Sequence, residues 1–236
     1  MKLIMENWRG FLNEGIHPKI RKKINDLLVL RNEGGAVGIS VHELANSVQF
    51  HYSWIFPGGE KSYIIPSKNS RFGKQEDYGI PENLPYGQVV IHKRKIEEEG
   101  PCSDAYVIQY TMAESGWGPL LYEVALEWAS AVGTGLTPDR FTVSKAASSV
   151  WDKYLQRSDV SKDQLDIAHD KRAYGYDIQS KYDQLTPDNE NDDCQQIQSI
   201  NFGGDQWADT PHSKLYRKNN TEIIDALSML GRWKTK

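Results

Sequence analysis

Apolar residues recur at helical spacing twice within the first 32 positions. Leu3, Ile4, Trp8, Phe11 and Leu12 form one such face, ended by Gly15. Ile20, Ile24, Leu27 and Leu28 form a second over Ile20 to Leu30, opened by Pro18 and closed by Gly34-Gly35. From Ala36 the period shortens towards two. Ala36 to Glu43, Ser47 to Phe56, Ser62 to Ile65 and Gln88 to Lys95 alternate β-branched or aromatic residues with polar ones and predict strands. Pro57-Gly58-Gly59 reads as a turn, residues 66–87 as a surface loop, and Glu97-Glu98-Glu99-Gly100 as a solvated hairpin turn.

The centre of the chain carries the clearest pattern. Ala105 to Met112 predicts a strand, Glu114 to Gly118 a tight loop, and Leu120 to Ala131 a helix with Leu121, Val124, Ala125 and Trp128 facing a sheet. Pro119 suits a first helical position, where its missing N–H costs nothing. Gly133-Thr134-Gly135 ends that helix. Leu136 to Val143 predicts a strand that Pro138 confines to an edge or an irregular stretch. Ser144 is an N-cap for a helix over Lys145 to Gln156. The region 157–236 is more polar. It holds isolated anchors at Leu165, Tyr174, Tyr176, Trp207, Leu215 and Tyr216, and a final helix at Glu222 to Leu230.

The reading is therefore mixed α/β (α+β). An N-terminal helical segment, 1–32, precedes a core domain, 33–157, and an irregular C-terminal extension, 158–236, packs on that core. Hydrophobic residues make up 39% of the 236, enough for a sizeable core. The net charge of −4 argues against a general nucleic-acid binder, which needs a basic surface. No stretch approaches the ~18 apolar residues of a membrane helix. Cys102 and Cys194 lie in no metal-ligand spacing. Two free thiols in a reducing cytoplasm are expected, with a single disulfide as the alternative.

A strand, a glycine loop and a helix together make an anion site. The first helical N–H groups lack intrahelical partners, the helix dipole adds partial positive charge, and glycine permits close approach. Gly116, Trp117, Gly118, Leu120 and Leu121 are the candidate amide donors. The alternative is an ordinary turn between strand and helix. The loop completes neither a dinucleotide fingerprint, since Leu121 stands where a third glycine belongs, nor a P-loop.

The run Ala113-Glu114-Ser115-Gly116-Trp117-Gly118-Pro119-Leu120-Leu121-Tyr122 resembles the acetyl-CoA motif of the GNAT acetyltransferase superfamily, Arg/Gln-x-x-Gly-x-Gly/Ala followed by a helix. The segment Ser144 to Tyr154 resembles that superfamily's next block, with Ala147 and Val150-Trp151 in its Ala and Leu-Tyr places. The resemblance covers about a quarter of the chain. It implies a mostly antiparallel central sheet flanked by helices, acetyl-CoA as cofactor, and acyl transfer to a small-molecule or protein amine. The cofactor-binding residues it implies are Tyr110, Met112, Gly116, Trp117, Gly118, Leu120, Leu121 and Trp151. The sequence departs from the motif at Ala113, at Ser144, and at Trp151, where the superfamily's proton-donating Tyr stands. Tyr154, one turn on, is then the nearest acid, and Glu114 the nearest carboxylate to the loop.

Gly116 to Tyr122, Leu136 to Arg140 and Val150-Trp151 also resemble uncharacterised bacteriophage proteins, and Met1 to Leu12 is similar to the openings of other phage proteins. This implies a second function: a non-catalytic virion, structural or host-interaction protein on the same scaffold, located in the host cytoplasm or the virion. Other residues carry alternatives. Trp117 either covers a nucleotide or pantetheine arm or packs on a neighbouring loop. Tyr122, Trp128 and Trp151 read as core. Lys19, Arg21, Lys22 and Lys23 either contact a nucleic acid or an acidic partner or form a solvated helix face. Asp139-Arg140 reads as an ion pair orienting the loop before Phe141, with binding of a substrate carboxylate or phosphate as the alternative. His42, His51 and His92 form a conceivable metal trio, but no metal is expected there, and Asp192-Asp193 reads as surface.

Overall fold

The structure is a computed structural model that describes residues 16–32, 34–56, 62–65, 87–94, 100–140, 142–167, 190–194 and 208–235. The expected helix at Leu3 to Leu12, the loop over 66–86, Glu97-Glu98-Glu99 and the anchors Tyr174, Tyr176 and Trp207 lie outside these residues.

Helix α1 is Pro18–Val29, with Pro18 in its first turn and Ile20, Ile24 and Leu27 buried. The strands that follow are β1 (Arg31–Asn32), β2 (Gly35–Glu43), β3 (Ser47–Ile55), β4 (Ser62–Ile64) and β5 (Gly87–Lys93). Then come β6 (Tyr106–Ala113), α2 (Gly118–Val132), β7 (Leu136–Thr137) and α3 (Lys145–Gln156). The remainder holds β8 (Ser161–Gln164), β9 (Asp166–Ile167), β10 (Asp193–Cys194), β11 (Lys214–Arg217), α4 (Glu222–Met229) and β12 (Trp233–Thr235).

One curled sheet runs β1-β2-β3-β5-β6-β7-β11-β8, with β4 paired to β3 and β12 to β2. Along that path every neighbouring pair is antiparallel except β6 with β7. The alternation read from the sequence sets the two faces. Val37, Ile39, Val41, Phe50, Tyr52, Val89 and Ile91 point into the main core, where α2 also buries Leu121, Val124 and Ala125. The opposite face of β2, β3 and β5 is polar, and Ser40, His51 and Ser53 on it are buried.

Residues beyond 157 do more than wrap the core. β8, β11 and β12 are strands of the main sheet, and Tyr216 of β11 pairs with Leu136 of β7. Polar strands such as Ser161–Gln164 carry little alternation, so their pairing left no trace in the pattern. β12 reaches β2 because Gly38 lets it. A Cβ at Gly38 would lie 2.3 Å from the Arg232 carbonyl oxygen, whose neighbouring ladder bond is Ile39 N–H to Arg232 O at 2.7 Å.

The expectation of free thiols is corrected: Cys102 and Cys194 form a disulfide, 92 residues apart in sequence. With both cysteines paired, the free-thiol argument for a reducing compartment falls away. The bond closes a second, smaller core of Cys102, Ala105, Leu165, Cys194 and Leu215. Among the described residues, no helix is long and apolar enough to cross a membrane.

α4 is capped from a distance. Thr221 at its start makes no side-chain cap. Glu127 of α2, fully buried, takes that role: its carboxylate accepts from Ile223 N–H at 3.0 Å and Ile224 N–H at 3.0 Å, and meets Lys218 Nζ at 2.7 Å. An anion at a helix N-terminus satisfies orphan donors and complements the dipole. Burial pushes the Glu127 carboxyl above the usual carboxylate range, against the pull of Lys218 and the two amides. Glu127→Ala strands Lys218 and uncaps α4, and should lower unfolding free energy by about 3–5 kcal/mol in chemical denaturation. A loss under about 1 kcal/mol would mean that the network is solvated and unimportant.

Candidate functional site

The glycine loop lies between the end of β6 and the start of α2, as the residue pattern predicts. Gly116 has φ of 80°, the left-handed region that suits glycine. Glu114 braces the loop. Its carbonyl accepts from Trp117 N–H at 3.0 Å and its carboxylate from Ser115 N–H at 3.1 Å. The Trp117 amide, one of the expected donors, is therefore already used. No side chain caps α2, so the first-turn amides of Gly118 and Leu120 have no side-chain partner, and of the two residues Gly118 is part-exposed while Leu120 is buried. The side chains of Leu120 and Leu121 lie wholly in the core.

Trp117 packs rather than covering a cleft. Its ring meets Tyr52 edge-on at 5.6 Å, and its carbonyl accepts from the Tyr52 hydroxyl at 2.8 Å. The Lys23 ammonium sits 4.2 Å from the ring centre, a cation–π arrangement that brings α1 to the loop.

The parallel pair β6/β7 parts almost at once. Tyr106 pairs with Leu136 and Val107 with Thr137, and the ladder stops there. The expected strand Leu136 to Val143 is thus cut to two residues. The next residue is Pro138, which has no N–H to extend a ladder. On its other edge β6 shifts register against β5, so that Val90 faces Tyr110 and Ile91 faces Ile108, with Gln109 as the extra residue. Such a bulge re-aims side chains and bends the strand.

The gap is a cleft of about 350 Å³. Its walls are Ile108 to Thr111 of β6, Tyr122 of α2, Asp139 and Thr142 beyond β7, and Ala147 and Trp151 of α3. Two expected cofactor-binding residues, Tyr110 and Trp151, line it. Tyr110 is 46% exposed and Trp151 is 1% exposed, so only the first offers much surface. Met112 is not a lining residue, although its Sδ accepts from the Tyr110 hydroxyl at 3.4 Å.

A second cleft, of about 500 Å³, lies between α1, the start of α2 and α3. Gly116 and Tyr154 line this one. Of the expected site residues, Tyr110 and Trp151 thus line one cleft and Gly116 and Tyr154 the other, while Met112, Glu114, Trp117, Gly118, Leu120 and Leu121 line neither. Tyr154 is 2% exposed, packed on Trp151 and Tyr216. Burial pushes its phenol well above the usual value, and the nearby Glu123 carboxylate pushes in the same direction.

Tyr122 was read as core from its helical spacing, and it does pack edge-on against Trp151 at 5.7 Å. Its hydroxyl also lies at the splayed pair, accepting from Thr111 Oγ1 at 3.1 Å. Burial raises its pKa, which the Thr111 hydrogen bond partly offsets. The phenol is thus held protonated at neutral pH. The available signal was its place, four residues beyond Gly118 on the helix that borders the cleft.

The histidines do not gather as a metal trio. The rings of His42 and His51 are 4.5 Å apart across β2 and β3. Among the described residues, the one group bringing three candidate ligand atoms together is Asp166, Asp192 and Asp193, within 4.8 Å. Asp192, read as surface, is buried. Arg140 is fully buried, and its guanidinium donates to the His212 carbonyl at 3.2 Å.

Comparison with known proteins adds no relative: no family model, no curated protein and no solved structure matches this chain.

The α3 wall is anchored by His212, whose Nε2 lies 3.2 Å from Ser148 Oγ. Burial, helped by Arg140, holds this imidazole below its ordinary 6.5. The folded chain therefore binds the proton less readily than the unfolded chain. The stability this contributes is present above pH 6.5 and is lost as pH falls through the folded value. Thermal unfolding followed from pH ~8 to ~5 should show this loss, and His212→Gln should flatten it. An identical slope in the variant would assign the acid sensitivity to other groups.

Proposed function

We propose that the chain is a GNAT-like acyltransferase or acyl-CoA-binding protein, with the splay cleft between β6 and β7 as the seat of the acyl-pantetheine arm. The observation that carries this reading is the single parallel pair, β6/β7, which parts after two residue pairs within an otherwise antiparallel path. An extended ligand entering there meets the unpaired edge of β6, whose backbone groups are free of β7 beyond Val107. Main-chain bonds to a ligand replace the missing ladder. The sheet order β5-β6-β7-β11-β8, the glycine loop before α2, and the match of Ala147 and Val150-Trp151 to the second motif support the same reading.

Acyl transfer to an amine needs a proton taken from the amine and a donor for the leaving thiolate. Tyr122 supports the donor role better than Tyr154. Its hydroxyl stands beside Thr111 on the cleft wall, whereas Tyr154 faces the other cleft. The amide groups of β6 beyond the splay supply the carbonyl-oxygen donor that such a step requires. The acceptor class is a small-molecule or protein amine.

One observation favours the second reading, a non-catalytic virion, structural or host-interaction scaffold. Trp151 occupies the superfamily's proton-donor place and serves as core, packed on Tyr122, Tyr154 and Tyr216.

Calorimetry with acetyl-CoA decides between them. Saturable binding is expected, with a rise in melting temperature through ligand linkage. Ala147→Phe, which fills the splay cleft from α3, should weaken binding by at least ~10-fold, or about 1.4 kcal/mol. Tyr122→Phe should keep the affinity but slow acetyl transfer to a panel of amines by roughly 100-fold or more. No binding at millimolar acetyl-CoA would remove the acyl-CoA reading and leave the scaffold reading.

A further inference from the structure

The cleft between α1, the start of α2 and α3 has a charge that the acyl-pantetheine reading does not use. Lys19, Lys22 and Lys23 from α1 and Lys153 and Arg157 from α3 line it, against one carboxylate, Glu123. That is a local excess of four positive charges on a chain whose net charge is −4. Such concentration against the overall sign is the footprint of an anion site.

Which cations are already committed matters. Arg157 is paired with Glu123 and Asp159. Glu123 is also 3.8 Å from Lys218, so its charge is answered from within the fold. Lys23 is held by Asp26 at 3.4 Å and by the Trp117 ring. Lys19, Lys22 and Lys153 have no ion-pair partner among the described residues, and all three are exposed. They stand on two helices that face each other across the cleft. Like charges so placed repel, and a bound anion would relieve that repulsion.

Two further features restrict the anion. Gly116 lies in the lining, and the Lys23 ammonium comes within 3.7 Å of where its Cβ would stand, so cationic side chain and left-handed turn converge at the uncapped start of α2. That end favours phosphate oxygens. The floor is apolar, formed by Ile20, Pro119 and Val150, with Tyr154 buried at its base. A volume of about 500 Å³ suits a ligand of nucleotide size. A bare inorganic ion would leave the floor empty.

We propose that this cleft binds a nucleoside diphosphate group, with the phosphates held by Lys19, Lys22 and Lys153 near the start of α2 and the base on the apolar floor. The site stands apart from the splay cleft, on the other side of the α3 ridge formed by Val150 and Trp151. The diphosphate group has two sources: a free nucleotide, or the nucleotide end of an acyl-CoA whose arm extends into the splay cleft.

The test is calorimetry of the full chain with ADP, coenzyme A and S-acetylpantetheine, in wild type and in the triple variant Lys19→Gln, Lys22→Gln, Lys153→Gln. These lysines are exposed, and an unchanged far-ultraviolet dichroism spectrum verifies the fold. ADP and coenzyme A should bind saturably, more weakly as salt rises, and the triple variant should lose at least ~10-fold in affinity for both. S-acetylpantetheine should be indifferent to the variant. Coenzyme A binding much tighter than ADP identifies the acyl-CoA source, and equal affinities identify the free nucleotide. Failure of ADP and coenzyme A to bind, or equal affinity in the triple variant, overturns the proposal. Acetyl-CoA binding that survives the triple variant but not Ala147→Phe leaves the splay-cleft reading standing alone. ADP binding with no response to Ala147→Phe by acetyl-CoA leaves the cationic cleft standing alone.

Discussion

A parallel strand pair that cannot continue is the constraint around which the site is arranged. β6 and β7 run side by side for two residue pairs, and then Pro138 withdraws the donor that a third would need. The sheet does not close by other means at that point. α2 crosses from one strand to the other, and α3 follows directly on the diverging chain. Because β7 is so short, the region beyond it is supported by helix contacts: Trp151 wedged among Tyr122, Tyr154 and Tyr216. A longer β7 would have hydrogen-bonded the edge of β6 and left no opening.

Those aromatic contacts explain why two clefts exist rather than one. α3 turns Ala147 and Trp151 towards the splay and Val150 and Tyr154 towards α1. The helix is thus a partition with one helical face on each side. Lys23 extends the boundary by lying over the Trp117 ring, which joins α1 to the glycine loop. The positions of Gly116 and Tyr154 on one side and Tyr110 and Trp151 on the other follow from this partition.

The elements with strong periodicity were legible in the sequence. The boundaries of α3 and its Ser144 cap, whose hydroxyl accepts from Ala147 N–H at 3.2 Å, match the reading from residue types alone. So do α1 with Pro18 in its first turn, and the β2, β3 and β5 alternation. What escaped depended on contacts distant in the chain. The Cys102–Cys194 bond has no local signature at a separation of 92 residues. The capping of α4 by Glu127 and the pairing of Lys214–Arg217 with Ser161–Gln164 join segments whose own patterns carry little information. For the candidate site, the loop was legible, but the placing of Gly116 and Tyr154 in one cleft and Tyr110 and Trp151 in another was not. Trp151 differs from Val150 and Tyr154 only in which side of α3 it faces once the neighbours are in place.

The disulfide has one more consequence. Residues 103–193 lie inside the covalent ring that it closes, and they include β6, the glycine loop, α2, β7 and α3. Most of the walls of both clefts therefore belong to a single covalent loop. A protease that cut the connection between α2 and α3 would not release either wall, since each fragment would stay tethered through Cys102 or Cys194. Cleavage would go unseen by size until the bond was reduced, and the two helices could stay docked on one another as a nicked but intact unit.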